Sequence, residues 1–212
     1  MHFSVLVIGD DVERQLAPYH EYEVTGVRDE YVIDADITEE MEAYYETGLR
    51  ALVDQDTGKT VYRTYKETMS FLEFICYEYD VAQEEYLLTE SELKNYVSGT
   101  KKYVIVVDDN DRNKVLKVLK YTNPNAKWDY WLIGGGWNDV LRTHNGEPVS
   151  QSAKKDINWA SVDLNRINTV FKDSQWYARP SEVTSSEWRV KVKELLADVP
   201  DDTLFTVVDC HI

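Results

Sequence analysis

The chain begins and ends in strands. Residues 3–9, Phe-Ser-Val-Leu-Val-Ile-Gly, are short, apolar and rich in β-branched side chains, closed by Gly9 and two aspartates. That is the pattern of a buried strand. Residues 203–210, Thr-Leu-Phe-Thr-Val-Val-Asp-Cys, read as another strand at the opposite end. Buried terminal strands are often neighbours. Along a strand, side chains two apart share a face, so Asp209 and His211 point one way and Cys210 the other. If the two terminal strands pair antiparallel, His2 comes close to Asp209 and His211. Two histidines and a carboxylate can bind a divalent metal or orient an imidazole as a general base. His2, Asp209 and His211 are therefore the candidate catalytic residues.

Between these ends the pattern is mixed. Residues 30–37 and 103–107 read as strands, and 114–120 as a hairpin return after the Asp108–Asn113 turn. Asp10 or Asp11 starts a short helix that stops before Pro18. Thr38 is read as capping an acidic helix, and residues 66–79 place Met69, Leu72, Ile75 and Cys76 at helical spacing. Thr89-Glu-Ser-Glu92 is a capping box for a helix ending near Gly99. Residues 128–133 read as a strand and 137–143 as its return. Residues 170–177 read as a hairpin. A helix over 187–197, capped by Ser185 or Ser186, carries Trp188, Val192, Leu195 and Leu196 on one face. The tyrosine-rich stretch 77–88 has no assignable pattern. The fold expected is α+β: a mostly antiparallel sheet containing both terminal strands, covered by three or four helices. Without an internal repeat or a low-complexity linker, residues 1–212 read as one domain.

Charge narrows the function classes. The 39 acidic and 23 basic residues give −16, against the basic footprint of a nucleic-acid binder and against docking on an anionic membrane. The excess falls in residues 1–100, which are also tyrosine-rich. Residues 101–212 are neutral and hold all six tryptophans. No apolar run approaches the ~20 residues of a membrane span. The first residues lack the marks of a signal peptide. The two cysteines, Cys76 and Cys210, do not make a disulfide framework. A cytoplasmic protein is expected. Nucleotide-binding glycine motifs, zinc motifs and the serine-hydrolase elbow are absent from the sequence.

A second constellation lies at residues 123–137, Asn-Pro-Asn-Ala-Lys-Trp-Asp-Tyr-Trp-Leu-Ile-Gly-Gly-Gly-Trp. On a regular strand Trp128 and Tyr130 share a face, while Asp129 and Trp131 share the other. Trp and Tyr faces stack on planar bases or sugars. Glycines let a ligand or backbone approach closely, and Lys127 could meet a phosphate. The candidate ligand-binding residues are Lys127, Trp128, Tyr130, Gly134, Gly135 and Trp137. No metal ligand set is assigned, and the cofactor is unknown.

This core, the opening Met-His-Phe-Ser-Val-Leu-Val-Ile-Gly-Asp with Gln-Leu-Ala-Pro-Tyr after it, and the ending Asp-Asp-Thr-Leu-Phe-Thr-Val-Val-Asp-Cys-His-Ile resemble a family of uncharacterised bacteriophage and prophage proteins. The motif positions matched are Asn123, Pro124, Lys127, Trp128, Asp129, Gly134, Gly135, Trp137, Asp209 and His211. The family motif usually has arginine where this chain has Gly136. The resemblance implies the cytoplasm of a bacterial host and a role against host defences. It implies no mechanism.

Three functions are thus expected, in this order. The first is an aromatic, glycine-lined pocket for a nucleotide-like small molecule. The second is an acidic, nucleic-acid-mimicking surface that blocks a host protein. The third is a hydrolase dependent on a metal or on the His/Asp set.

Overall fold

The computed structural model describes residues 1–80 and 86–212, so part of the 77–88 stretch lies outside the described residues. The chain divides into two compact units, Met1–Val27 with Asn125–Ile212, and Arg28–Pro124. The compositional step near residue 100 is not the boundary between them. Acidity is shared as well: the second unit holds 21 acidic and 12 basic residues, net −9, which leaves −7 of the total −16 for the first.

In the first unit, β1 (His2–Ile8) lies between β14 (Leu204–His211), antiparallel to it, and β12 (Thr169–Lys172), parallel to it. β13 (Gln175–Ala178) continues beyond β12. The other side of β14 is shared by β11 (Gln151–Ala153) and β8 (Tyr130–Ile133). Both terminal strands are inside this sheet, as their sequences require. The reason is visible in β1. Val5, Leu6 and Val7 are all fully buried, because both faces of the sheet are covered. Each such side chain stabilises by about 1.5–3 kcal/mol.

The two faces hold separate cores. One contains Leu6, Ile8, Val170, Phe205 and Val207 beneath the helix Ser185–Ala197. The other contains Val5, Val7, Phe171, Val208 and Cys210. Trp188, Val192, Leu195 and Leu196 are the buried positions of that helix. Its cap is Thr184 rather than Ser185 or Ser186. The Thr184 hydroxyl accepts the Glu187 N–H, and the Glu187 carboxylate accepts the Thr184 N–H, the reciprocal pair of a capping box. β9 (Leu141–Arg142) and β10 (Pro148–Val149) form a short hairpin around the Asn145-Gly146 turn.

The second unit is built on β2 (Ile33–Asp36), β7 (Val115–Thr122), β6 (Tyr103–Val107) and β5 (Leu87–Thr89), in that order. Only β5 and β6 are parallel within it. Residues 115–122 are the hairpin return, with Val118 fully buried. The helices α3 (Thr38–Thr47) and α4 (Phe71–Glu78) belong to its core, through Met41 and Phe74. Thr38 opens α3 but does not cap it: its hydroxyl bonds Asp36 and accepts the Val118 N–H. β3 (Leu49–Val53) and β4 (Thr60–Thr64) form a hairpin that the sequence shows only as its turn.

The molecule is α+β with mostly antiparallel sheets. Six α-helices occur among the described residues, more than the three or four expected. The additions are single turns: α1 (Val12–Leu16), α2 (Tyr22–Thr25) and α5 (Glu90–Leu93), with Ser185–Ala197 as α6. The capping box at Thr89 is formed, but its helix ends at Leu93. No helix among the described residues is long and apolar enough to cross a membrane.

Candidate functional site

The register of β1 against β14 puts His2 opposite His211 and Ser4 opposite Asp209. β8 adds Tyr130 opposite His211 and Leu132 opposite Asp209. The three candidate catalytic residues therefore meet at one end of the sheet, on the face that carries Leu6 and Val207. They are joined by a fourth partner, Asp129.

Two histidine–aspartate pairs result. His2 Nδ1 lies 3.0 Å from Asp209 Oδ1. His211 Nδ1 lies 2.8 Å from Asp129 Oδ2 and 2.9 Å from its Oδ1. An ionised carboxylate only accepts hydrogen bonds, so each Nδ1 carries the proton and donates it. Each Nε2 is left as the working atom. The imidazole centroids are 5.0 Å apart. The Tyr130 ring stacks on His211 at 5.0 Å and 16°, and its hydroxyl lies 3.2 Å from His2 Nε2. The terminal ammonium of Met1 lies 3.0 Å from His211 Nε2. The aspartates are the sheltered partners: the Asp209 side chain is 7% exposed and that of His2 53%.

Both aspartates are ionised by design of their surroundings. Burial works to raise Asp209, but the Gly136 N–H, His2 and Trp137 outweigh it and hold the carboxyl below its ordinary 3.8. The Gly136 N–H bond is 2.9 Å. Burial likewise opposes Asp129, and His211 with the Tyr130 N–H bring it below the same value. A folded pKa below the unfolded one contributes stability above that range and loses it as pH falls. Urea unfolding is therefore expected to show stability falling from about pH 5 to about pH 3, less steeply in Asp129→Asn than in the parent. An equal pH slope in both would contradict this account of Asp129.

Cys210, between Asp209 and His211, faces the opposite core and is fully buried. Burial, with Asp209 beside it, pushes its thiol up to about 12, so it is not a nucleophile. Both cysteines are free.

The glycines serve this site. Gly135 has φ +53°, and a Cβ there would stand 2.5 Å from the Asp209 side chain. Gly134, at φ +74°, is closed off by Ser150. Gly136 has no left-handed φ, and a Cβ there would meet Asp209 Oδ2 at 3.5 Å, an ordinary contact. Position 136 thus admits a side chain. Gly135→Ala is expected to cost roughly 2–3 kcal/mol, from left-handed strain and displacement of Asp209. Gly136→Ala is expected within ~0.5 kcal/mol of the parent. Urea titrations of the two variants check the pair, and equal losses would refute the distinction.

The six candidate ligand-binding residues do not form one pocket. Trp128 is outside the regular strand, which starts at Tyr130. Its indole N–H donates to the Leu16 carbonyl at 3.0 Å, and its ring packs with Trp131 on the Val5 face. Trp137 packs on the opposite, Leu6 face. The sheet stands between them. Residues 135–137 form a 3-10 turn, so Trp137 to Thr143 is not a strand returning along β8. Tyr130 belongs to the histidine pairs, and Gly134 and Gly135 shape the approach to Asp209. The exposed Lys127 lies at a separate cleft with Phe3, Trp176 and Arg179. Asp129 was expected to face away from Tyr130. Because residue 129 precedes the strand, alternation does not apply, and both residues reach His211.

Among the described residues no group of three or more His, Cys, Asp or Glu side chains is arranged to hold a metal ion. Each carboxylate instead occupies the Nδ1 of its own histidine. Compared with protein-family models, curated proteins and solved structures, the chain matches none. The functional argument therefore rests on the geometry.

Proposed function

We propose that the first unit is a hydrolase unit whose two histidine–aspartate pairs move protons at a phosphoester or a related bond. One observation carries the reading: two imidazoles 5.0 Å apart, each held at Nδ1 by its own ionised aspartate. Hydrolysis needs one group to take a proton from water and another to give one to the leaving oxygen. Here one Nε2 takes the water proton as the new oxygen bond forms. The other, carrying a proton, gives it to the oxygen that leaves. Each aspartate fixes the tautomer and the orientation of its ring through Nδ1, so neither imidazole has to be reoriented during the reaction. The present neighbours of the Nε2 atoms, the Tyr130 hydroxyl and the Met1 ammonium, belong to exposed residues that a substrate can replace. Tyr130 and Leu132 offer a partly apolar wall beside them.

The test is turnover by the purified chain of p-nitrophenyl phosphate, bis(p-nitrophenyl) phosphate and a panel of linear and cyclic nucleotides. Hydrolysis of at least one, with a bell-shaped dependence of kcat/KM on pH, is the expected result. Absence of turnover across the panel, or a pH-independent rate, would refute the proposal.

A further inference from the structure

On the other face of the same sheet lies a cleft of about 590 Å³, within the range of small-molecule sites. The register fixes its floor. Thr169 pairs with Ala178 and Phe171 with Trp176, and Thr169 stands beside Val5. Phe3, Thr169, Trp176 and Ala178 therefore share the face of Val5. Lys127 and Arg179 line the cleft, and its lining contains no Asp or Glu, in a chain of net charge −16.

The polar groups are poised rather than spent. Thr169 is 3% exposed as a residue and lines the cleft, so what it shows to solvent it shows there. Arg179 is anchored through Nη2 to the Val183 carbonyl and the Ser185 hydroxyl, each at 3.2 Å, and its Nη1 and Nε make no side-chain hydrogen bond among the described residues. Asn168 spends its carbonyl on Ser4 and keeps its amide N–H groups as donors. Trp176, held edge-on by Phe171 and Phe3, supplies a half-buried ring.

We propose that this cleft binds a small molecule with a flat aromatic ring and an anionic group, the chemistry of a nucleoside monophosphate. The ring lies on Trp176 and Phe3. The anion is met by Lys127 and Arg179, and Thr169 contributes one hydrogen bond. The site is distinct from the histidine pairs, which open on the opposite face, and does not depend on their role.

Isothermal titration of the full chain with AMP, adenosine and inorganic phosphate tests it. AMP is expected to bind at least tenfold more tightly than adenosine or phosphate alone. Lys127→Ala and Thr169→Val, neither of which removes an internal hydrogen bond, are expected to weaken AMP by about tenfold and by several-fold. His2→Ala with His211→Ala is expected to leave AMP affinity unchanged. The proposal is overturned if AMP fails to bind at millimolar concentration. It is overturned equally if Lys127→Ala binds as the parent does, or if affinity is lost with the histidines instead.

Discussion

His211→Ala is expected to lower kcat/KM on the best phosphoester substrate by about 10²- to 10⁴-fold, the range for removing one general acid or base. At about 1.4 kcal/mol per decade this is roughly 3–6 kcal/mol of transition-state stabilisation. His2→Ala is expected to fall in the same range, because each histidine has its own carboxylate at hydrogen-bond distance. The two losses are expected not to add, since acid and base act in one step. Asp129→Asn is expected to cost less than His211→Ala: an amide can still sit at Nδ1, but its charge is gone. The His211 side chain is 32% exposed, so its truncation opens no core cavity, and the melting temperature is expected to fall only by the few degrees that losing the Asp129 partner costs, about 1–2 kcal/mol. Steady-state kinetics on the four proteins, with circular dichroism melts alongside, decide the matter. Parent-like kcat/KM in either histidine variant would remove the acid–base reading. It would leave the pairs as ties, one between β1 and β14 and the other between β14 and the residue that leads into β8.

Trp188→Ala is expected to remove about 3–5 kcal/mol of stability, a large share of the roughly 5–15 kcal/mol typical of a folded domain. Trp188 is 2% exposed and lies in the core with Val192, Leu6 and Phe205. Its indole N–H donates to the Ile167 carbonyl at 2.6 Å. Truncation leaves both a cavity and a buried carbonyl without its partner. Trp188→Phe keeps most of the volume and is expected to lose a smaller amount, about 1–2 kcal/mol, mostly the hydrogen bond. Arg189→Ala, on the exposed face of the helix, is expected to change stability by less than ~0.5 kcal/mol. Urea unfolding followed by circular dichroism measures all three. A loss below ~1.5 kcal/mol in Trp188→Ala would mean that the helix does not anchor this face of the sheet.

Much of the frame was legible before folding. Val5, Leu6 and Val7 at one end and Val207 and Val208 at the other are β-branched or aliphatic throughout, and burial on both faces demands that pattern. Alternation along β14 put Asp209 with His211, and antiparallel pairing put His2 beside them. The positions of Trp188, Val192, Leu195 and Leu196 marked the helix face that is buried. These are local or period-dependent properties, so a sequence carries them directly.

The remainder was decided by tertiary structure. The alternation rule put Trp128 with Tyr130, but the regular strand begins only at residue 130. Asp129 therefore turns to His211, and Trp128 to the Leu16 carbonyl. Gly134, Gly135 and Gly136 read as room for a ligand, whereas two of them adopt left-handed backbone and Asp209 fills the space beside Gly135. Arg179 and Thr169, distant in sequence from Lys127, gave no local signal and meet it only because β12 and β13 continue the sheet past β1. By itself the sequence determined which segments are buried and which side chains share a face, because those follow from hydrophobic periodicity. Which faces meet, and therefore which histidine holds which aspartate and which cations share a cleft, depends on long-range strand order. Only the folded chain decided that.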